Sequence, residues 1–151
     1  RGSVIPIFLN SKEKYFTVTD KNMTRFSLTL KEGIQASLYS LKNMVGGEII
    51  IPKAKSYKIL DLTNAIDNRK KIKLIGKRPG EKLHEILISK SDSEFTYENQ
   101  NYFVINNFKS KGYKKGFKKV SKNFEYTSDK NIFLTIKELK KIIANQSIKN
   151  D

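Results

Sequence analysis

Apolar residues recur along this chain at two periods. Leu30, Ile34, Leu38 and Leu41 step along one face of a helix over 30–43, with Ala36 and Met44 beside them and Gly46-Gly47 as its stop. Ile136, Leu139, Ile142 and Ile143 form a second stripe at helical spacing, expected to run through Ile143. Each stripe opens on the same signal, Thr29-Leu30-Lys31-Glu32 and Thr135-Ile136-Lys137-Glu138. In such a capping box the Thr hydroxyl takes an orphan amide and the Glu carboxylate returns the bond. Both helices are expected to pack on a core. A third helix is expected from Ser56, with Ile59, Leu60, Leu62 and Ile66 inward, and a fourth near Ser3, where Pro6 fits a first turn.

The remaining runs predict strands. Tyr15-Phe16-Thr17-Val18-Thr19 ends at the turn signal Asp20-Lys21-Asn22, and Arg25-Phe26-Ser27-Leu28 follows as a short extended piece. Glu48-Ile49-Ile50-Ile51 predicts a buried strand ending at Pro52, and Ile72-Lys73-Leu74-Ile75 another. Phe95-Thr96-Tyr97-Glu98 and Tyr102-Phe103-Val104-Ile105 flank Asn99-Gln100-Asn101 as a hairpin, and Phe124-Glu125-Tyr126 is a further short piece. Residues 146–151 are expected to fray. There is no internal repeat. Strands and helices interleave without a regular βαβ alternation, which predicts an α/β domain of short strands covered by helices.

Composition narrows the class. The chain has 151 residues, one domain's worth, with 38% hydrophobic and 30% charged positions. No apolar run is long enough for a membrane span, and neither a leader nor a membrane partner is expected. The lack of cysteine excludes disulfides and thiolate metal sites and suits a reducing, cytoplasmic setting. Thirty Lys and Arg against fifteen Asp and Glu give a net charge of +15. Much of the excess is local: residues 108–123 hold Lys109, Lys111, Lys114, Lys115, Lys118, Lys119 and Lys122 and no acid. Lysines solvate well and read no base edges, so a solvated loop is the first reading. Stacking of a nucleic-acid single strand on Phe108, Tyr113 and Phe117 is the competing one.

The candidate chemistry centres on Arg78-Pro79-Gly80-Glu81-Lys82-Leu83-His84-Glu85. It follows a strand, and Leu83, Ile86 and Leu87 predict a helix over 81–89. A strand-to-helix junction with Gly80 and first-turn amides without partners suits a phosphate, and Arg78 adds a planar fork of donors. His84, the one histidine, is expected to pack or hydrogen-bond rather than catalyse. No His/Asp/Glu cluster suggests a metal. No glycine-rich fingerprint follows a strand, and Tyr113 precedes Lys114 directly instead of forming a Tyr-x-x-x-Lys segment.

Four segments resemble one family in order and spacing: Arg1-Gly2-Ser3-Val4-Ile5-Pro6, Thr19-Asp20-Lys21-Asn22-Met23-Thr24-Arg25-Phe26, Gly46-Gly47-Glu48-Ile49-Ile50-Ile51-Pro52-Lys53 with Ser56-Tyr57-Lys58-Ile59-Leu60-Asp61-Leu62, and Ile75-Gly76-Lys77-Arg78-Pro79-Gly80-Glu81-Lys82-Leu83-His84-Glu85. The family is the inverting UDP-N-acetylglucosamine 4,6-dehydratases of bacterial polysaccharide and pseudaminic acid biosynthesis, in the extended short-chain dehydrogenase/reductase superfamily. The resemblance is dense from Arg1 to about Ile88 and covers the family's C-terminal half. It implies that residues 1–151 are the smaller, substrate-binding lobe, without the N-terminal Rossmann half that holds NADP and the catalytic residues. Arg25 and Arg78 would face the diphosphate of a UDP-sugar, Met23 would line the uridine pocket, and Glu81 would hold the ribose or orient Arg78. Val4, Tyr57 and Lys58 would lie near the substrate. The resemblance further implies a homo-oligomer when complete and no turnover by this chain alone. A UDP-sugar 4-epimerase of the same superfamily is the alternative.

Overall fold

The computed structural model describes residues 4–106 and 115–147. These form a mixed α/β arrangement of short strands and helices, as expected. Helix α1 (Val4–Leu9) turns Ile5 and Phe8 inward. Strand β1 (Tyr15–Val18) buries Phe16 and Val18 by simple alternation and runs parallel to β5 (Lys71–Leu74). Strand β2 (Thr24–Ser27) pairs antiparallel with β4 (Lys55–Lys58), which places Arg25 opposite Tyr57. Strand β4 leads directly into α3 (Ile59–Asp67), so the third helix starts later than Ser56. Ser56 is fully buried and its backbone bonds to Ile132 and Leu134 (2.9 and 2.7 Å), a long-range pairing that overrides its capping propensity. Helix α3 packs on α1 and on α4 (Ile136–Ser147) around Phe16, Val18, Met23, Leu62 and Leu139. Helix α4 runs two residues into the tail expected to fray, and 148–151 lie outside the described residues.

A second core lies under an antiparallel sheet in the order β3 (Ile49–Pro52), β8 (Tyr102–Ile105), β7 (Thr96–Glu98), β9 (Lys118–Lys119). The β7–β8 hairpin is the expected one, closed by the Asn99 side chain, which accepts from the amides of Asn101 and Tyr102. Strand β3 is an edge instead of a buried strand: Ile51 is buried, Ile49 is exposed, and Pro52 sits at its end, where a missing donor does little harm. Of the lysine-rich stretch, 108–114 lie outside the described residues. Lys118 and Lys119 form the opposite edge, β9, with both side chains exposed, and Val120 enters the core; the rest of 115–123 is turn and loop.

Two expectations fail outright. No helix spans 81–89: Pro79 and Gly80 form a turn, and Ile86–Ile88 is strand β6, paired antiparallel with β10 (Tyr126–Thr127). Leu83, Ile86 and Leu87 fit a helical period, but so short an apolar run fits a strand equally, and burial of Ile88 beside Tyr126 decides the case. The second failure is α2 (Leu30–Asn43), which buries none of its residues. Leu30, Ile34, Leu38 and Leu41 are between 51% and 84% exposed. The helix is attached through its other side, where Tyr39 stacks on Tyr102 with ring centroids 4.1 Å apart. No helix among the described residues is long and apolar enough to cross a membrane.

Candidate functional site

The site grows out of the pairing of β2 with β4 and the turn that follows β5. Gly80 adopts φ +78°, a conformation open to glycine, and lets the chain fold back so that Glu81 N–H donates to the Arg78 carbonyl (3.0 Å). The Glu81 carboxylate accepts from the Arg78 amide (3.1 Å) and from the Thr19 hydroxyl (3.2 Å), which ties the turn to the end of β1. These bonds replace the expected helix N-terminus. Any anion here meets a guanidinium and not a row of helix amides.

Arg25 is held on every side. Its Nη1 donates to the carbonyls of Thr24 (2.7 Å) and Leu83 (3.1 Å), Nη2 reaches Met23 Sδ (3.0 Å), and Nε pairs with Glu85 Oε1 (3.3 Å). Arg78 is the opposite case: its side chain is exposed and its guanidinium has no hydrogen bond or ion pair to any described residue. Behind Arg25, burial pushes the Tyr57 hydroxyl up to about 12, with Arg25 pulling against it and Glu85 adding to it. Tyr57 therefore stays neutral and offers its hydroxyl only as a hydrogen-bonding group.

These side chains line one open cavity of about 640 Å³. Val4, Ile7, Phe8 and Val18 give it apolar lining, and Arg25, Arg78, Glu81 and Glu85 give it charged groups. The combination suits a ligand with an apolar or aromatic part and an anionic part. Of the seven residues singled out from sequence, Val4, Met23, Arg25, Tyr57, Arg78 and Glu81 all line it. Lys58 does not: it precedes α3 as its N-cap, and its ammonium lies 5.6 Å from the centre of the Phe133 ring. Lys58 and Tyr57 are consecutive residues of β4, whose side chains point to opposite faces, Tyr57 buried and Lys58 exposed. Glu81 orients the turn through the Arg78 amide and not through the guanidinium.

Sequence reasoning missed Thr19 and Glu85, which stand inside quoted motifs but carried no assigned role. It also missed Thr24 and Ser128. Thr24 Oγ1 lies 2.8 Å from His84 Nδ1 and 2.7 Å from Ser128 Oγ, so His84 is hydrogen-bonded as expected. Ser128 carries no local signal, because its partners lie far away in sequence. Among the described residues no group of three or more His, Cys, Asp or Glu side chains could hold a metal ion.

Known proteins align with this arrangement. Residues 1–107 match the family described as polysaccharide biosynthesis protein. Over 157 aligned positions the chain is 41% identical to the UDP-N-acetylglucosamine 4,6-dehydratase (inverting) of Campylobacter jejuni subsp. jejuni serotype O:2 (strain ATCC 700819 / NCTC 11168), covering 95% of this chain and 47% of that protein. It is 32% identical to the UDP-glucose 4-epimerase of Rickettsia bellii (strain OSU 85-389), covering 96% and 46%. The X-ray structure of Pen from Bacillus thuringiensis superposes with a TM-score of 0.84 at 32% identity, over 98% of this chain and 47% of that one. The chain belongs to the polysaccharide biosynthesis protein family. It spans about half the length of the curated relatives it matches.

Proposed function

We propose that this chain is the UDP-sugar-binding half of an inverting UDP-N-acetylglucosamine 4,6-dehydratase, acting in the cytoplasm in bacterial surface polysaccharide or nonulosonic acid biosynthesis. The observation that carries the reading is the cavity lined both by the two arginines and by apolar side chains. In this reading Met23 and Val4 line the nucleoside and sugar, and Arg78 and Arg25 meet the diphosphate. Arg25 is already engaged with Glu85 and two carbonyls, so it acts as a fixed positive wall. Arg78 is the fork that closes on the ligand. Glu81 sets the turn from which Arg78 reaches.

NADP would supply the hydride chemistry, held in a Rossmann half of the complete enzyme. In this reading the contribution of the described residues is binding and orientation of the UDP-sugar. We place the contact with that other half, within a complete and self-associating enzyme, on the exposed stripe of α2. The relatives carry a further polypeptide of about equal length, and the stripe is apolar surface in need of cover. The 4-epimerase reading is supported by the likeness to the Rickettsia protein, and in it Arg25 and Arg78 would meet the diphosphate in the same way.

Titration with UDP tests the site. Arg78→Ala should weaken UDP binding by about 1.5–3 kcal/mol, the range for a charge-assisted contact, and Arg78→Lys should recover only part of it. Neutralising Lys115, Lys118, Lys119 and Lys122 should change UDP binding little. Salt-sensitive binding of a short oligonucleotide that tracks these lysines, with no UDP binding, would overturn the reading. Product analysis of this chain joined to a matching Rossmann half separates the two enzymes: a 4-keto-6-deoxy sugar marks dehydration and a C4 epimer marks epimerisation.

A further inference from the structure

We propose that His84, together with Thr24 and Ser128, is a positioning device for Arg25: a hydrogen-bonded clasp that holds the guanidinium where a ligand diphosphate meets it. The inference rests on the nucleotide reading of the cavity and extends it to residues outside the lining. Three segments distant in sequence meet at the clasp: the start of β2, the 81–85 turn, and the residue after β10.

The polarity of the clasp follows from its fixed end. The Glu85 amide can only donate, so Ser128 Oγ accepts from it at 2.9 Å. The Ser128 proton then goes to Thr24 Oγ1 at 2.7 Å, and the Thr24 proton to His84 Nδ1 at 2.8 Å. In this order every hydroxyl proton has an acceptor, and Nδ1 accepts from Thr24. The reverse order would strand the Ser128 proton among the described contacts. Thr24 and Ser128 are 4% and 0% exposed, so solvent is poorly placed to replace a lost partner.

The residues on either side of His84 supply two of the acceptors of Arg25, beside the Thr24 carbonyl and Met23 Sδ. The Leu83 carbonyl takes both the Thr24 amide (3.1 Å) and Arg25 Nη1, and the Glu85 carboxylate pairs with Nε. Glu85 is further fixed by Ser128, whose amide donates to its carbonyl at 2.9 Å. Without His84 the 83–85 segment would keep only its bonds to Ser128 and to the Thr24 amide, and an ion pair made by a half-exposed Glu85 side chain fixes geometry weakly. The clasp thus determines where Leu83 O and Glu85 stand, and they determine the direction of the guanidinium.

The test compares His84→Ala, His84→Asn and Thr24→Val with the wild type. UDP and uridine are titrated calorimetrically, and solvent exchange of the Arg25 Nε–H is followed by nitrogen-resolved NMR. Asn places an amide oxygen close to where Nδ1 stood, so His84→Asn should retain UDP affinity and Arg25 protection. His84→Ala and Thr24→Val should each weaken UDP binding about tenfold and expose the Arg25 Nε–H to fast exchange, because a buried hydroxyl loses its partner. Uridine, which has no diphosphate, should bind within about twofold of wild type in all variants. Unchanged UDP affinity and Arg25 protection in His84→Ala would overturn the proposal, as would an equal loss of UDP and uridine binding. Wild-type protein that binds no UDP sinks the nucleotide reading, and the Arg25 Nε–H comparison alone then decides the clasp.

Discussion

Helices α2 and α4 begin from one local code and end in opposite surroundings. In α2, Thr29 N–H and hydroxyl donate to Glu32 Oε2 (2.7 and 2.6 Å) while Glu32 N–H returns to Thr29 Oγ1 (3.3 Å). In α4, Thr135 and Glu138 make the same three bonds at 2.8, 2.9 and 3.2 Å. Both helices carry an apolar stripe. Yet Leu139 is 1% exposed, with Ile142 and Ile143 packed on the same core, whereas no residue of α2 is buried. A capping box and a 3.6-residue period thus specify a helix and an apolar face, and both are local facts. What the face meets is set by chain that lies elsewhere. Helix α4 finds α3; the α2 stripe finds no cover among the described residues.

The largest effect that could break this contrast is in the core. Leu139→Ala should cost about 2–5 kcal/mol of unfolding free energy, the range for a leucine removed from a packed interior. Leu38→Ala should change it by about 0.5 kcal/mol or less, since Leu38 is 61% exposed and alanine favours a helix. Denaturant unfolding of the two variants measures the difference. Equal losses would mean that α2 is packed in solution.

Much of the α4 side of the molecule was legible from the chain alone, for a physical reason. The Thr135 box, the stripe behind it and the alternation of Phe16 and Val18 are short-range patterns, and the structure keeps them. The β7–β8 hairpin was legible in the same way, through the turn chemistry of Asn99. What failed was long-range. Ser56 looked like a helix start until its pairing with Ile132 and Leu134 is seen, and the 81–89 segment looked helical until β10 pairs with it. At the site, motif residues converge on one cavity except Lys58, which strand alternation puts on the face opposite Tyr57. The clasp was half legible: His84 stood out as a single histidine, while Ser128 became relevant only through the fold.

A smaller effect sharpens the contrast at the caps themselves. Thr135→Ala should cost about 1 kcal/mol, as loss of a helix cap does, and this should appear in global unfolding because α4 is part of the core. Thr29→Ala removes the same bonds, but its cost should appear mainly as fraying of α2, read by amide exchange in 30–43. The boxes also differ in charge. Glu138 Oε1 accepts from Lys55 Nζ at 2.7 Å, and this bond first, then those from Thr135, hold its carboxyl down at about 2. A depressed carboxylate contributes stability that is present above its ordinary range and lost as pH falls through the depressed value. The stability difference between wild type and Glu138→Gln should therefore be full at neutral pH and shrink as pH falls below the ordinary carboxylate range toward about 2. Melting temperatures across that window check it, and a difference that grows toward acid would contradict the Lys55 pairing.

The smallest effect on stability should accompany the largest effect on assembly. Leu38→Lys with Leu41→Lys places two charges on a face that water already reaches, so the unfolding free energy of the isolated chain should move by about 0.5 kcal/mol or less. Covering the same stripe is another matter: each leucine buried is worth about 1.5–3 kcal/mol, and a lysine in its place would have to be desolvated. If the stripe is where the other half of the enzyme docks, wild-type chain should associate with the N-terminal half of the Campylobacter dehydratase supplied in trans, and the double-lysine variant should not. Sedimentation of mixtures against each component alone reads this directly. Association that survives both lysines would move the contact elsewhere, for instance to the exposed β5, which is paired on one edge only among the described residues. Concentration-dependent pairing of this chain with itself, abolished by the two lysines, would instead make a second copy the occupant of α2. In either case the contrast with α4 stands on the same physics: covering an apolar helix face is favourable, and α4 finds its cover among the described residues.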